Sequence, residues 1–119
     1  MAFAMFEIRD YMVIWRQLET RDFNGTIAKI RGIVRCSGID AENNEYMMEI
    51  FMLAPDSAFP DPIIELDNRR GAIFFPITDM YALVDMLRNE KPIFGHLRTD
   101  RPEWTGITTT KEPVGEGEG

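Results

Sequence analysis

The sequence contains few of the residues that usually carry out chemistry. It has one cysteine, Cys36, one histidine, His96, and two serines, Ser37 and Ser57. A single cysteine excludes a disulfide within the chain and fits a reducing compartment. His96 has no cysteine or second histidine near it in the sequence with which to bind a metal, and neither serine lies in a strand-to-helix nucleophile elbow. The sequence therefore predicts no cofactor and no metal site, and it favours a non-catalytic protein over an enzyme.

Long apolar runs and an excess of positive charge are also missing. No apolar run approaches the roughly 20 residues needed to cross a bilayer, and the first ten residues lack the features of a secretion signal. With the lone cysteine, these absences predict a cytoplasmic protein that does not associate with membranes. Thirteen basic and 20 acidic residues give a net charge of −7, which disfavours non-specific binding to nucleic acid.

The length of 119 residues is typical of one domain. The glycine- and glutamate-rich end of the sequence contains almost no apolar residues that could join a core. We therefore predict a single domain over residues 1–110 and a flexible acidic tail over residues 111–119.

The clearest local signal is a strand, a helix and a strand between Ala72 and Leu97. Thr78 is a candidate N-cap that could accept a backbone hydrogen bond, and Pro92 disfavours helical geometry just before it. Between them, apolar residues recur at helical spacing and form one stripe: Met80, Leu83, Val84 and Leu87. This pattern predicts a helix over about residues 78–90 with one buried face.

Three longer segments before this helix have the composition of strands. In Phe6–Glu19, Tyr11–Leu18 also fits a helical stripe, but the β-branched and aromatic residues favour a strand. Thr26–Cys36 alternates strictly, which predicts one core face and one mixed basic and aliphatic face. Tyr46–Leu53 is apolar on both faces, as is typical of a central strand.

Two pairs of short segments complete the fold. Residues 63–66 and 72–75 flank a turn-rich connection, and residues 92–98 and 104–109 flank another, so each pair predicts a hairpin. The predicted fold class is α+β, with an antiparallel sheet of about six strands and one main α-helix packed on one face.

One helix can cover only one face of such an apolar sheet. We therefore expect a non-catalytic binding or assembly module that self-associates through an apolar sheet face or edge, with a dimer as the default, or that binds another protein. The residues predicted to form this surface are Met48, Ile50, Met52 and Phe74.

A different function is suggested by the basic residues of the alternating strand. Single-stranded nucleic acid, or another anion, could bind Lys29, Arg31 and Arg35 on one strand face, with Trp15 as a stacking ring. The net negative charge disfavours this alternative. A second alternative is a small enzyme of unidentified class, whose polar groups would converge only in the folded protein.

Overall fold

The computed structural model describes residues 2–109, so the predicted tail at 111–119 lies outside the described residues. The strands are β1 (Phe3–Phe23), β2 (Thr26–Ile39), β3 (Glu45–Leu53), β4 (Ile63–Glu65), β5 (Arg70–Pro76), β6 (Phe94–Arg98) and β7 (Gly106–Thr108). The α-helix α1 (Met80–Asn89) lies between β5 and β6. The protein is therefore a sheet-dominated α+β fold.

The sheet is mixed, whereas a purely antiparallel sheet of about six strands was predicted. Within residues 2–109 its seven strands are ordered β4-β5-β3-β2-β1-β6-β7. β3 and β5 are parallel, and every other neighbouring pair is antiparallel. The two short hairpins, β4 with β5 and β6 with β7, are confirmed. The parallel pair arises because β4 occupies the sheet edge outside β5.

The β1–β2 hairpin is longer than its sequence pattern indicates. The extended interpretation of Tyr11–Leu18 is correct, and pairing continues to Phe23 opposite Thr26. Asn24 and Gly25 then form a two-residue turn with φ angles of 54° and 97°. Two positive φ angles are typical of the type I′ turn, which matches the twist of a hairpin. The strand therefore extends four residues beyond Glu19, where the predicted strand-like segment ends.

The predicted single alternation along β2 is interrupted by a bulge. Ile30 is paired with Leu53 and Gly32 with Met52, which leaves Arg31 without a counterpart on β3. An extra residue reverses which face the following side chains occupy. Ala28, Ile30 and Ile33 consequently share one core cluster, while Val34 and Cys36 belong to another on the opposite face.

The helix lies where its apolar stripe predicts, but it begins differently. A 3₁₀ turn, Ile77–Asp79, leads directly into α1, and no side chain in the described part of the chain caps either element. The predicted Thr78 cap is therefore wrong. The buried side chains of α1 are Met80, Leu83 and Leu87, and they pack on what we call the helix face of the sheet. In residues 2–109 no helix combines the length and apolarity needed to cross a bilayer.

The sheet is strongly curled over the helix-face core. Although three strands separate β5 from β6, a Cβ added to Gly71 on β5 would lie 2.5 Å from the Leu97 side chain on β6. Gly95 on β6 lies beneath the ring of Phe6, since a Cβ there would be 2.6 Å from the ring. Curling therefore brings distant strands together around one core.

A second core lies on the opposite face, which we call the far face. Phe51 is completely buried there, with the ring centroids of Phe23 and Phe74 at 5.0 and 5.6 Å. Phe23 lies at the end of the long hairpin, and Ile63 packs at the margin of the same cluster. Side chains of the chain itself therefore cover the Phe51 cluster, and burying this cluster does not require a partner.

Candidate functional site

The four residues predicted to form a self-association surface lie inside the protein. Met48, Ile50 and Met52 are fully buried in the helix-face core, and Phe74 is buried in the far-face core. A contact with a second molecule needs accessible side chains, so this part of the prediction is corrected. Any self-association must use other residues.

The predicted basic strand face is divided by the β2 bulge. Lys29 alternates with Ala28 and Ile30, both in the far-face cluster, so Lys29 points to the helix face. Arg35 follows Ile33 by two residues beyond the bulge and points to the far face. The structure therefore does not bring these cations onto one surface.

Each of these cations also has a partner within the chain. Lys29 forms an ion pair of 2.6 Å with Asp56, and Arg35 forms one of 2.9 Å with Glu49. The Nε of Arg31 donates a hydrogen bond of 3.3 Å to the Arg16 carbonyl oxygen. The cross-strand pair between Arg35 and Glu49 is the pairing that neighbouring strands favour, and it reduces the positive charge available to an anion.

Trp15 lies on a different part of the sheet, next to the helix. Its ring is 6.2 Å from that of Tyr81 on α1, and the planes are inclined at 51°. Both rings are unusually accessible, with 55% of Trp15 and 77% of Tyr81 exposed. Val13 packs against the helix-face core one alternation earlier, so Val13 and Trp15 face the helix together.

These side chains line a groove between β1 and α1. A cleft of about 590 Å³ runs beside Val13 and Trp15 and is closed on its other side by Tyr81, Val84 and Arg88. A second cleft of about 310 Å³ continues past Arg88 towards Tyr11 and the end of the helix. The groove therefore follows α1 along β1.

The strand that borders this groove is unpaired on its outer side. β6 pairs with β1 only over Phe3–Glu7, and one further hydrogen bond of 2.9 Å joins the Ile8 amide to the Ile93 carbonyl. Beyond Ile8, among residues 2–109, β1 pairs only with β2. We call this the open edge of β1. It presents backbone N–H and C=O groups that another strand could pair with.

The thiol of Cys36 is not available for chemistry. Its side chain is completely buried in the helix-face core, and burial raises the pKa of Cys36 to about 12. A thiol must ionise to act as a nucleophile or a metal ligand. In the described part of the chain, no cluster of three or more His, Cys, Asp or Glu side chains could hold a metal ion.

His96 is a buried titratable group on β6, where it is paired with Met5 of β1. It is 2% exposed, and its Nε2 lies 2.7 Å from the Thr108 hydroxyl. Its Nδ1 is buried without a hydrogen-bond partner among residues 2–109. Burial, and secondly the nearby positive charge of Arg98, lowers the pKa of His96 below its usual value.

This lowered pKa predicts that the fold loses stability as the pH falls. The unfolded chain holds a histidine with a pKa of about 6.5 and binds protons that folded His96 does not bind. The free energy of unfolding should therefore decrease from about pH 7.5 to about pH 5.5, above the range where carboxylates titrate. Urea unfolding at both pH values measures the decrease, and His96→Gln should reduce it. Equal pH dependence in both proteins would contradict this prediction.

Sequence reasoning did not identify the groove. Its strand side was visible as a long β-type segment, but its free edge depends on which strands become neighbours. The signal that was available is Tyr81, a large aromatic residue outside the apolar stripe of α1. Comparison of the chain with protein-family models, with characterised proteins and with solved structures finds no match, so its function is argued from this geometry.

Proposed function

We propose that the protein is a non-catalytic assembly module that accepts an extended peptide segment as an additional strand on the open edge of β1. The main support is that, within residues 2–109, β1 has no partner strand on its outer side beyond Ile8. This unpaired edge lies beside an apolar groove. Adding a strand to an exposed sheet edge is a common mode of peptide recognition. Backbone hydrogen bonds provide affinity, and pockets for alternate side chains provide specificity.

The groove has the properties that such a segment requires. The side chains of an added strand alternate between the two faces, so every second one would enter the space bordered by Trp15 and Tyr81. Aromatic side chains that are already exposed lose water on contact and have little conformational entropy to lose. Together these features favour an apolar or aromatic residue at every second position of the bound segment.

The composition of the groove supports binding over catalysis. Its main cleft is lined by Val13, Trp15, Met80, Tyr81, Val84, Asp85 and Arg88, without histidine, cysteine or serine. Asp85 accepts a hydrogen bond of 2.8 Å from Asn89 on the same helix. This carboxylate therefore stabilises the surface of α1 through a contact within the helix. Arg88 remains the residue best placed to contact a ring or a carbonyl oxygen of the added segment.

A selection from a displayed library of short random peptides tests this function. We expect the selected peptides to be rich in β-branched and aromatic residues. They should bind about tenfold more weakly when Trp15→Glu or Tyr81→Glu places charge in the groove. Hydrogen exchange of backbone amides within 10–15 should slow when a peptide is bound, because new hydrogen bonds protect them.

Phe59→Glu is the matched control. Phe59 is also an exposed aromatic residue, at 48%, but it lies in the loop after β3, away from the groove. Its substitution should leave peptide binding unchanged. Peptides that bind Trp15→Glu as tightly as the original protein, or that leave the edge amides unprotected, would contradict the proposal.

A further inference from the structure

The open edge of β1 has a regular portion with defined limits. Arg9 is an extra residue relative to β2, because Ile8 pairs with Gly38 and Asp10 with Ser37. A second irregularity follows Trp15, where three residues of β1 lie opposite Arg31 alone. Between them, residues 10–15 pair without interruption. Bulges disturb strand pairing, so an added strand has its best geometry along this short segment.

The two faces of this segment carry different residues. Val13 packs on the helix-face core, and Tyr11 and Trp15 share its face by alternation. Ile14 packs against the far-face core, so Asp10 lies on the far face. Arg16 is the first residue of the second irregularity, and its ion pair of 3.0 Å with Glu19 places it on the far face, because Glu19 is opposite the far-face residue Ile30. Asp10 and Arg16 therefore point to the same side.

Twofold symmetry restricts how two such edges can pair. Antiparallel strands in one sheet are related by an axis perpendicular to the sheet, which preserves the two faces. Residues opposite one another must then share a face. Because successive residues alternate between faces, this is possible only when one residue of the segment lies opposite the same residue of the other copy, with the axis between them. The central choices are Met12, Val13 and Ile14.

Only one of these three registers matches charge with charge. With Val13 on the axis, Asp10 of each copy lies opposite Arg16 of the other, and Tyr11 lies opposite Trp15. With Met12 on the axis, Asp10 faces Ile14, and with Ile14 on the axis it faces Leu18. Opposite charges on facing strands stabilise a pair, and a carboxylate against an aliphatic side chain does not. Asp10 has no ion-pair or hydrogen-bond partner of its own among residues 2–109.

We infer that the segment accepted by the open edge is the same segment of a second copy, paired antiparallel with Val13 on the twofold axis. This inference rests on the proposed function. The pairing joins the two seven-stranded sheets into one and uses both open edges at once. An interface of this kind is closed and cannot propagate into a fibre. The open edge of β1 in each copy is paired with that of the other copy, so neither edge is free to bind a third molecule.

Two charge reversals test the register. In the Asp10→Arg dimer, the introduced arginine of each copy lies opposite Arg16 of the other, so like charges meet at both ends of the interface. In the Arg16→Asp dimer, the introduced aspartate of each copy lies opposite Asp10 of the other. Sedimentation equilibrium from about 1 to about 100 µM should show a dimer for the original protein and about a tenfold weaker dimer for each variant. An equimolar mixture of the two variants should recover the original affinity. In the mixed dimer the introduced arginine faces the introduced aspartate at one end, and an unchanged Asp10 faces an unchanged Arg16 at the other.

Glu42→Arg is the matched control, since it makes the same charge change as Asp10→Arg in the turn before β3. It should leave the dimer unchanged, and mixing it with Arg16→Asp should recover nothing. A monomer throughout the concentration range would overturn the inference, as would a dimer that ignores both reversals or fails to recover on mixing. With any of these outcomes, the peptide selection still tests whether the open edge of β1 binds an extended segment, because peptide binding does not depend on self-pairing.

Discussion

Replacing Gly38 with alanine is expected to reduce the free energy of unfolding by about 4 kcal/mol or more. Gly38 pairs with Ile8 beside the Arg9 bulge. A Cβ there would overlap the carbonyl oxygen of Glu7 and would lie 2.7 Å from its carbonyl carbon. These are backbone atoms of the neighbouring strand, so no side-chain rotation can relieve the overlap. β1 and β2 must separate at the point where β1 also pairs with β6.

Gly106→Ala is the control for this substitution. Among residues 2–109, no atom beyond Gly106 and its two chain neighbours lies within 4 Å of the position that its Cβ would occupy, so the change should be within about 1 kcal/mol of neutral. Urea unfolding followed by circular dichroism measures both variants. Because small domains are stable by only about 5–15 kcal/mol, Gly38→Ala should lower the midpoint strongly. A Gly38→Ala protein as stable as Gly106→Ala would show that the strands are farther apart than described.

Replacing Phe51 with alanine is expected to cost about 3–5 kcal/mol. Phe51 is fully buried at the centre of the far-face core, and its ring is stacked on that of Phe74 with an interplanar angle of 19°. The guanidinium of Arg21 lies 5.2 Å above the same ring. Removing the ring leaves a cavity that these neighbours cannot fill without moving the end of the long hairpin.

Phe59→Ala provides the comparison, because it removes the same ring from an exposed position and should cost less than about 1 kcal/mol. The difference in the free energy of unfolding between the original protein and Phe51→Ala should be the same at low and high protein concentration. This is expected because the cover over Phe51 comes from its own chain. A difference that appears only at high concentration would mean that a second molecule covers the far face.

Local signals predicted much of the fold. The stripe of Met80, Leu83 and Leu87 identified the helix and its buried side, because a spacing of three and four residues is a property of the segment itself. The tight turn at Asn24 and Gly25 also depends on local sequence, since few other pairs accept two positive φ angles. What these segments have in common is that their structure depends on residues close in the sequence.

The bulge in β2 could not be predicted in this way. Its alternating residues are equally compatible with an uninterrupted strand, and the extra residue at Arg31 exists only in relation to β3. One undetected residue moved Ala28 and Ile30 to the opposite face and divided the predicted basic surface. It also concealed the second core, which side chains of the chain itself bury.

The order of the strands was likewise outside the reach of local patterns. Whether β5 joins β3 in parallel, and whether β1 keeps a free edge, depends on contacts between segments far apart in the chain. The groove follows from that order, because α1 must cross the sheet between β5 and β6 and so comes to lie along β1. Trp15 was predicted as an exposed stacking ring, but its position beside Tyr81 depends on that order.

The pairing of β1 with β6 has a consequence for synthesis. The Thr99 amide donates a hydrogen bond of 2.8 Å to the Ala2 carbonyl oxygen, so the start of β1 is fixed by residues made much later. On a ribosome, β1, β2 and β3 can associate as soon as they emerge, since each follows the last. Phe3–Glu7 of the nascent chain must wait, with one side unpaired, until Phe94–Arg98 have left the exit tunnel.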